Sequence, residues 1–139
     1  MSKPLAVPAD AEHVVIDYLT SALVAHGQDV TVGVDVPIAW TLTGTTATKP
    51  HVQVALDGTP VMQYPILWRT TVRVTVWAGS TTTAKALVAL AQGLLLSHPG
   101  STQVGSIRPL TGTLPTRDPA TGAQLATCTV QVNLLGAEL

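Results

Sequence analysis

Residues 69–96 constrain the fold more than any other part of the chain. Val72, Val74 and Val76 alternate with polar residues, which predicts a strand with one buried face. An Ala-Gly pair then ends the strand, and Ser80, followed by three threonines, offers side-chain oxygens that can cap a helix. Residues 82–97 continue as an amphipathic helix whose apolar stripe comprises Ala84, Leu87, Val88, Ala91, Leu94 and Leu95. The sequence therefore predicts a strand that leads directly into a helix packed back on the sheet.

A second helix is predicted over residues 8–26. Pro8 suits the first helical turn, and Gly27 suits the position after the last one. Its apolar stripe comprises Val14, Val15, Tyr18, Leu19 and Ala22. The N-terminal part of the chain is thus expected to cover the sheet as a helix.

Alternating patterns predict strands at 30–36, 51–56, 66–77, 103–114 and 123–135. Asp57-Gly58 indicates a tight turn and a hairpin, and Pro60 and Pro65 confine the residues between them to a loop or an edge strand. Residues 41–50 lack an apolar face and are expected to form a mobile loop, while 115–122 are expected to form the turn of a closing hairpin. Residues 1–139 are thus predicted to form one α+β domain, with about five mostly antiparallel strands against two helices in the order α-β-β-β-α-β-β.

Composition narrows the class of function. Seven basic and eight acidic residues give a net charge of -1, which is too little positive charge for nucleic-acid binding as a main role. The chain shows no signal-peptide pattern and no run of about 20 apolar residues, so we expect a protein of the cytoplasm with no membrane partner. Only 11% of the residues are charged, as is common for surfaces that become buried in an assembly.

The search for chemistry predicts no catalytic residue, no metal site and no cofactor. Cys128 falls on the predicted core face of the last strand, where packing is the expected role and a reactive thiol is the alternative. His13, His26, His51 and His98 are scattered singly and form no ligand pair. We therefore expect a protein that is not an enzyme.

The polar side of the strand at 66–77 carries the candidate contact residues. Arg69, Arg73 and Trp77 share that side with threonines. One interpretation is an ordinary solvated sheet face; the other is a contact or channel-lining surface, since Arg and Trp are favoured at interfaces and Arg also contacts phosphate. Lys49, in the loop at 41–50, and Arg117, in the closing turn, are two further interface candidates.

Three features together resemble the tail terminator, or tail completion, proteins of long-tailed bacteriophages. They are an N-terminal helix ending in Ala25-His26-Gly27, the strand-to-helix unit at residues 69–87, and the closing hairpin with its return strand through Val132.

The resemblance implies a virion protein assembled in the host cytoplasm as a ring, commonly a hexamer. Such a ring caps the tail tube, ends its polymerisation and joins it to the head connector. The implied partners are copies of the chain itself, the major tail tube protein, a head completion or stopper protein, and DNA in transit only. A head completion or stopper protein of the neck is the alternative function. A small enzyme or ligand-binding domain that uses Cys128 or a histidine is a third.

Overall fold

The computed structural model describes residues 6–8, 10–36, 49–57, 61–64, 67–119 and 123–138. The elements in chain order are β1 (Ala6–Pro8), α1 (Ala11–Ala25), β2 (Thr31–Gly33), β3 (His51–Leu56), β4 (Val61–Tyr64), β5 (Leu67–Ala78), α2 (Thr81–Leu96), β6 (Val104–Pro109), β7 (Leu114–Arg117) and β8 (Gln124–Glu138). The predicted fold class is confirmed, because two helices pack on a mostly antiparallel sheet in this part of the chain. All five predicted strands are present: β3 has its predicted bounds, and the other four are shorter, longer or shifted. The short strands β1, β4 and β7 add to them.

The sheet is organised around β5 and β8, the two longest strands. They pair antiparallel from Leu67↔Leu135 to Ala78↔Gln124. On the other side of β5 lie β3 and β4, and β2 continues the sheet from β3 in the one parallel pair among the described strands. On β8, antiparallel pairs are made by β1, β6 and β7.

Side chains cap the start of both helices, and a glycine ends α1 as its sequence predicts. The Asp10 carboxylate accepts the His13 N–H at 3.2 Å at the start of α1, and the Ser80 hydroxyl accepts the Thr83 N–H at 3.2 Å at the start of α2. At the end of α1, Gly27 has a φ of 74°, which glycine adopts readily. The Gln28 N–H then reaches the Leu23 carbonyl at 3.0 Å and closes a Schellman motif.

The core lies between the helices and one face of the sheet. The predicted inward residues of β5 and β8 are all buried: Val72, Val74, Val76, Ala126, Cys128, Val130, Val132 and Leu134. Leu19 and Leu23 of α1 and Leu95 of α2 are fully buried against them. A hydrogen bond from the Tyr18 hydroxyl to the Leu94 carbonyl, at 2.9 Å, joins the two helices. Full burial of an aliphatic side chain such as Leu19 or Leu95 stabilises the fold by roughly 1.5–3 kcal/mol.

The hairpin predicted at Asp57-Gly58 is wrong. Since β3 and β4 both run antiparallel to β5 on the same side, they run in the same direction. The antiparallel pair is formed instead by β4 and β5. Among the described strands β4 pairs only with β5, so it is an edge strand, one of the two positions predicted from Pro60 and Pro65. The Asp57 N–H donates to the Thr71 carbonyl at 2.8 Å, which keeps this stretch on β5 between the two strands. Asp-Gly favours a turn locally, but pairing with the long strand β5 decides the path.

Three other boundaries differ from the predictions. Pro8 lies in β1 rather than in α1, because the Asp10 side chain caps the helix two residues later. The strand predicted at 103–114 is interrupted, since the N–H groups of Leu110 and Thr111 both donate to the Thr129 carbonyl. The Thr111 hydroxyl accepts the Thr129 N–H at 3.0 Å in place of a backbone carbonyl. Of the turn predicted at 115–122, positions 115–117 belong to β7 and 120–122 lie outside the described residues, as do 41–48 of the predicted loop.

Two adjacent residues of α1 test the packing of this core. We expect Leu23→Ala to lower the free energy of unfolding by about 2–5 kcal/mol, because Leu23 is fully buried and its removal leaves a cavity. The control is Val24→Ala, since Val24 is 66% exposed and its loss should change the same quantity by less than about 0.5 kcal/mol. Chemical denaturation measures both. Equal losses in the two variants would contradict the packing described.

Candidate interaction surface

The face of the sheet opposite the helices, called the outer face here, carries most of the predicted contact residues. Arg69, Arg73 and Trp77 alternate along β5 with the fully buried valines, so the predicted division of this strand is confirmed. Across the ladder, the outer face of β8 is also polar at its centre, where Thr127, Thr129, Gln131 and Asn133 stand opposite β5. The outer face is therefore a broad polar surface over the two central strands.

Two of these residues already have partners within the chain. The Arg73 Nη2 contacts both carboxylate oxygens of Asp57 at 3.0 Å. The side chains are 53% and 38% exposed, so solvent screens the pair and its contribution lies in the range of about 0–1 kcal/mol. The Trp77 indole N–H donates to the Gln53 side-chain oxygen at 3.2 Å. Arg73 and Trp77 thus help to hold β3 against β5.

The Arg69 side chain differs, because it has no hydrogen bond or ion pair among the described residues. It lines a groove of about 570 Å³ together with Arg108, which lies on the outer face of β6 and is equally unpaired there. The floor is a chain of hydrogen bonds: Gln131 donates to Asn133 at 3.1 Å, and Asn133 donates to Ser106 at 2.7 Å. No carboxylate is among the residues that line the groove. Two guanidinium groups above neutral amides form a surface suited to an anionic group of a partner.

The other two candidates lie elsewhere. Lys49 contacts the Asp29 carboxylate at 3.3 Å beside β2. Arg117 lies on β7 and pairs with Gln124, whose side chain accepts the Thr81 hydroxyl at the start of α2. Arg117 is therefore on the helix side of the sheet, and the five predicted residues do not form one site.

The sequence pattern missed two residues. Arg108 had no visible connection to Arg69, since only the pairing of β5 and β6 with β8 brings them to one groove. His51 opens a strand on the same side as Gln53 and opposite Val52 and Val54, yet it is only 2% exposed. The backbone of Gly33 and Asp35 lies beside its imidazole. The bond from Gln53 Nε2 to the Val34 carbonyl, at 3.2 Å, holds the same segment against β3.

The His51 imidazole is held in a largely dry position. Its Nδ1 lies 2.6 Å from the Thr31 hydroxyl, and its Nε2 is buried without a hydrogen-bond partner in the described parts of the chain. Burial lowers the pKa of His51 below 6.5, although the backbone of Asp35 and Gly33 opposes the shift. The neutral imidazole is therefore the form that the fold accommodates.

Cys128 occupies the core position predicted for it. It is fully buried, and burial raises the pKa of the thiol to about 11. Since the thiolate is the reactive form, this position favours packing over nucleophilic chemistry. Within the ranges that the structure describes, no three His, Cys, Asp or Glu side chains form a potential metal site. Neither helix described there has the length and apolar character that a bilayer crossing requires.

Cys128 provides a direct test of this arrangement. In the native protein at pH 8 we expect the thiol to resist alkylation, and unfolding in guanidinium chloride should make it react as a free cysteine. Mass spectrometry measures the modified fraction. Ser97→Cys, at the exposed end of α2, is the control and should be modified in the native state. Native modification of Cys128 at the rate of this control would contradict its burial.

Because burial lowers the pKa of His51, we expect the protein to lose stability in mild acid. Below pH 6.5 the unfolded chain takes up a proton that folded His51 resists, so the free energy of unfolding should fall as the pH drops from 7.5 to 5. Burial also lowers the pKa of His98, which adds to the effect in the same range.

Denaturation at a series of pH values measures this dependence. His51→Gln should weaken it, and His51→Gln with His98→Gln should weaken it further. His13→Gln alters an exposed imidazole of α1, so the dependence should persist in this control. The interpretation of His51 is wrong if His51→Gln leaves the pH dependence at its full size.

No family model matches the chain, and the search of curated proteins also gives no match.

Proposed function

We propose that the chain is a structural subunit of a bacteriophage tail, a tail terminator that forms a ring, caps the tail tube and joins it to the head. The observation that carries the proposal is the outer face, where the side chains of Arg69 and Arg108, unpaired within the described residues, flank a polar groove whose lining contains no carboxylate. Such a surface is suited to contact with another macromolecule. The resemblance of the N-terminal helix, the strand-to-helix unit and the closing hairpin to tail terminators supports the choice of partner.

The arrangement of charge supports a role in contact rather than chemistry. The side chains of Arg69 and Arg108 extend from paired strands, and the amides of Gln131 and Asn133 are fixed by their own hydrogen bonds. A partner carboxylate, or a phosphate of DNA in transit, would meet two guanidinium groups beside amides that are already positioned. Preformed donors reduce the entropy lost on binding. In this proposal the groove receives an anionic group of the tail tube protein or of the DNA.

Capping of tail tubes tests the function. Purified protein added to polymerising cognate tail tube protein should shorten the tubes, and negative-stain electron microscopy should show a ring at one tube end. Arg69→Glu with Arg108→Glu should reduce capping about tenfold or more, because like charges would then face the partner's anionic group. Lys85→Glu makes the same charge change on the exposed side of α2 and should leave capping unchanged.

Two results would reject or redirect the proposal. If the wild-type protein leaves tube length unaltered, it is not a terminator. Binding to a head connector without capping would instead favour the head completion or stopper function. Cys128→Ala should cap as well as the wild type, and a loss of activity in a folded Cys128→Ala protein would favour the thiol-dependent alternative.

A further inference from the structure

The register of three neighbouring strands determines how the groove of Arg69 and Arg108 is built. On β8, Asn133 lies opposite Arg69 of β5 on one side and opposite Ser106 of β6 on the other. Gln131, two residues away along β8, lies opposite Arg108. The two arginines therefore stand diagonally across β8, and the usual spacings in a sheet put their Cα atoms roughly 12 Å apart. Because both side chains are long and exposed, one ligand that lies over β8 can contact both.

The floor of this groove offers an acceptor as well as donors. One N–H of Gln131 is used by Asn133 and one N–H of Asn133 is used by Ser106, so each amide keeps a second N–H. The Gln131 Oε1 atom accepts no hydrogen bond within the described residues. A polypeptide has carboxylates for the guanidinium groups and backbone N–H donors for this oxygen. The phosphodiester backbone of DNA has acceptors only, and it would leave this oxygen without a donor.

Part of the groove lining is apolar. Pro109 and Leu110 both line it, and Leu110 is 50% exposed. Protein interfaces combine apolar side chains with arginine, whereas contacts to the DNA backbone are made mainly by charged and polar groups. The exposed leucine therefore favours a partner that carries an apolar side chain next to its acidic groups.

The positive charge at the groove is small. Arg73 lies four residues along β5 from Arg69 on the same face, but it is paired with Asp57. The groove lining itself has two cationic side chains and no carboxylate. Proteins that are held by the DNA backbone make about 6–10 phosphate contacts. Two guanidinium groups instead match one or two carboxylates of a protein.

We propose that the groove of Arg69 and Arg108 binds an acidic polypeptide segment. One or two carboxylates of the segment face the guanidinium groups, an adjacent apolar side chain lies against Leu110, and a backbone N–H donates to Gln131 Oε1. The inference rests on the contact role proposed above and deepens it, because it assigns the groove to a protein partner rather than to DNA. For a tail terminator, the matching partner is a tail tube or head protein that exposes such a segment.

A short acidic peptide tests the inference on the purified protein. The probe is Gly-Glu-Leu-Glu-Gly, blocked at both ends and labelled with an uncharged dye, and its neutral counterpart is Gly-Gln-Leu-Gln-Gly. Fluorescence anisotropy should show that the acidic peptide binds about tenfold or more tightly than the neutral one, because only the acidic peptide offers carboxylates to the arginines.

Variants locate the binding site of the peptide. Arg69→Gln and Arg108→Gln should each weaken binding of the acidic peptide by about threefold or more, since each removes one exposed ion pair. Lys85→Gln is the matched control, because it removes the same charge from the exposed side of α2 and should leave binding unchanged. Circular dichroism verifies that each variant is folded.

Competition separates the protein partner from DNA and from free phosphate. Unlabelled acidic peptide should displace the probe at a lower concentration of anionic groups than a short DNA duplex or inorganic phosphate does. The inference is wrong if the two peptides bind equally, if the duplex or phosphate competes as well as the acidic peptide, or if either arginine variant binds like the wild type. A loss of binding in Lys85→Gln equal to that of the arginine variants also rejects it.

Capping of tail tubes, measured separately on the wild type, distinguishes this inference from the proposed function. Capping without peptide binding rejects the assignment of the groove alone. Peptide binding without capping rejects the tail terminator and leaves the groove as a site for an acidic segment of another protein.

Discussion

The antiparallel pairing of β5 with β8 is the constraint on which the rest of the structure depends. It joins twelve residue pairs, and each strand places alternate residues in the core. A shift of β8 by one residue against β5 would turn Cys128 towards solvent and bring Thr129 into the core. Both helices pack on the side that this register makes apolar, and the groove of Arg69 and Arg108 exists on the side that it makes polar. Core and contact surface are thus two results of one alignment.

Local patterns predicted the elements well, because both helix caps and the alternation of β5 and β8 depend on neighbouring residues. Ser80 and Gly27 act through bonds to residues within five positions, which a sequence displays directly. The turn at Asp57-Gly58 was misplaced for the opposite reason. The position of Asp57 is set by its bond to Thr71 on β5, and the local sequence contains no information about that partner.

The candidate surface was predictable only in part. Arg69, Arg73 and Trp77 follow from alternation along one strand, but their different roles follow from partners on other strands. Arg73 pairs with Asp57, and the Trp77 indole N–H donates to Gln53. The register of β6 on β8 places Arg108 in the same groove as Arg69. His51 was not predicted as a buried residue, since its cover comes from the segment after β2. Arg73 and Trp77, which are residue types typical of interfaces, therefore help to hold the sheet together within the chain.

The collinear arrangement of β3 and β4 limits how a subunit can be connected to others. Together with the Asp57–Thr71 bond, these strands line one side of β5, and β8 lines the other. The centre of the described sheet is closed to strand insertion, so a strand of another chain could extend this sheet only at its two outer edges. A building block with two lateral attachment points has a valence of two. Such blocks form closed circles or open chains rather than two-dimensional lattices.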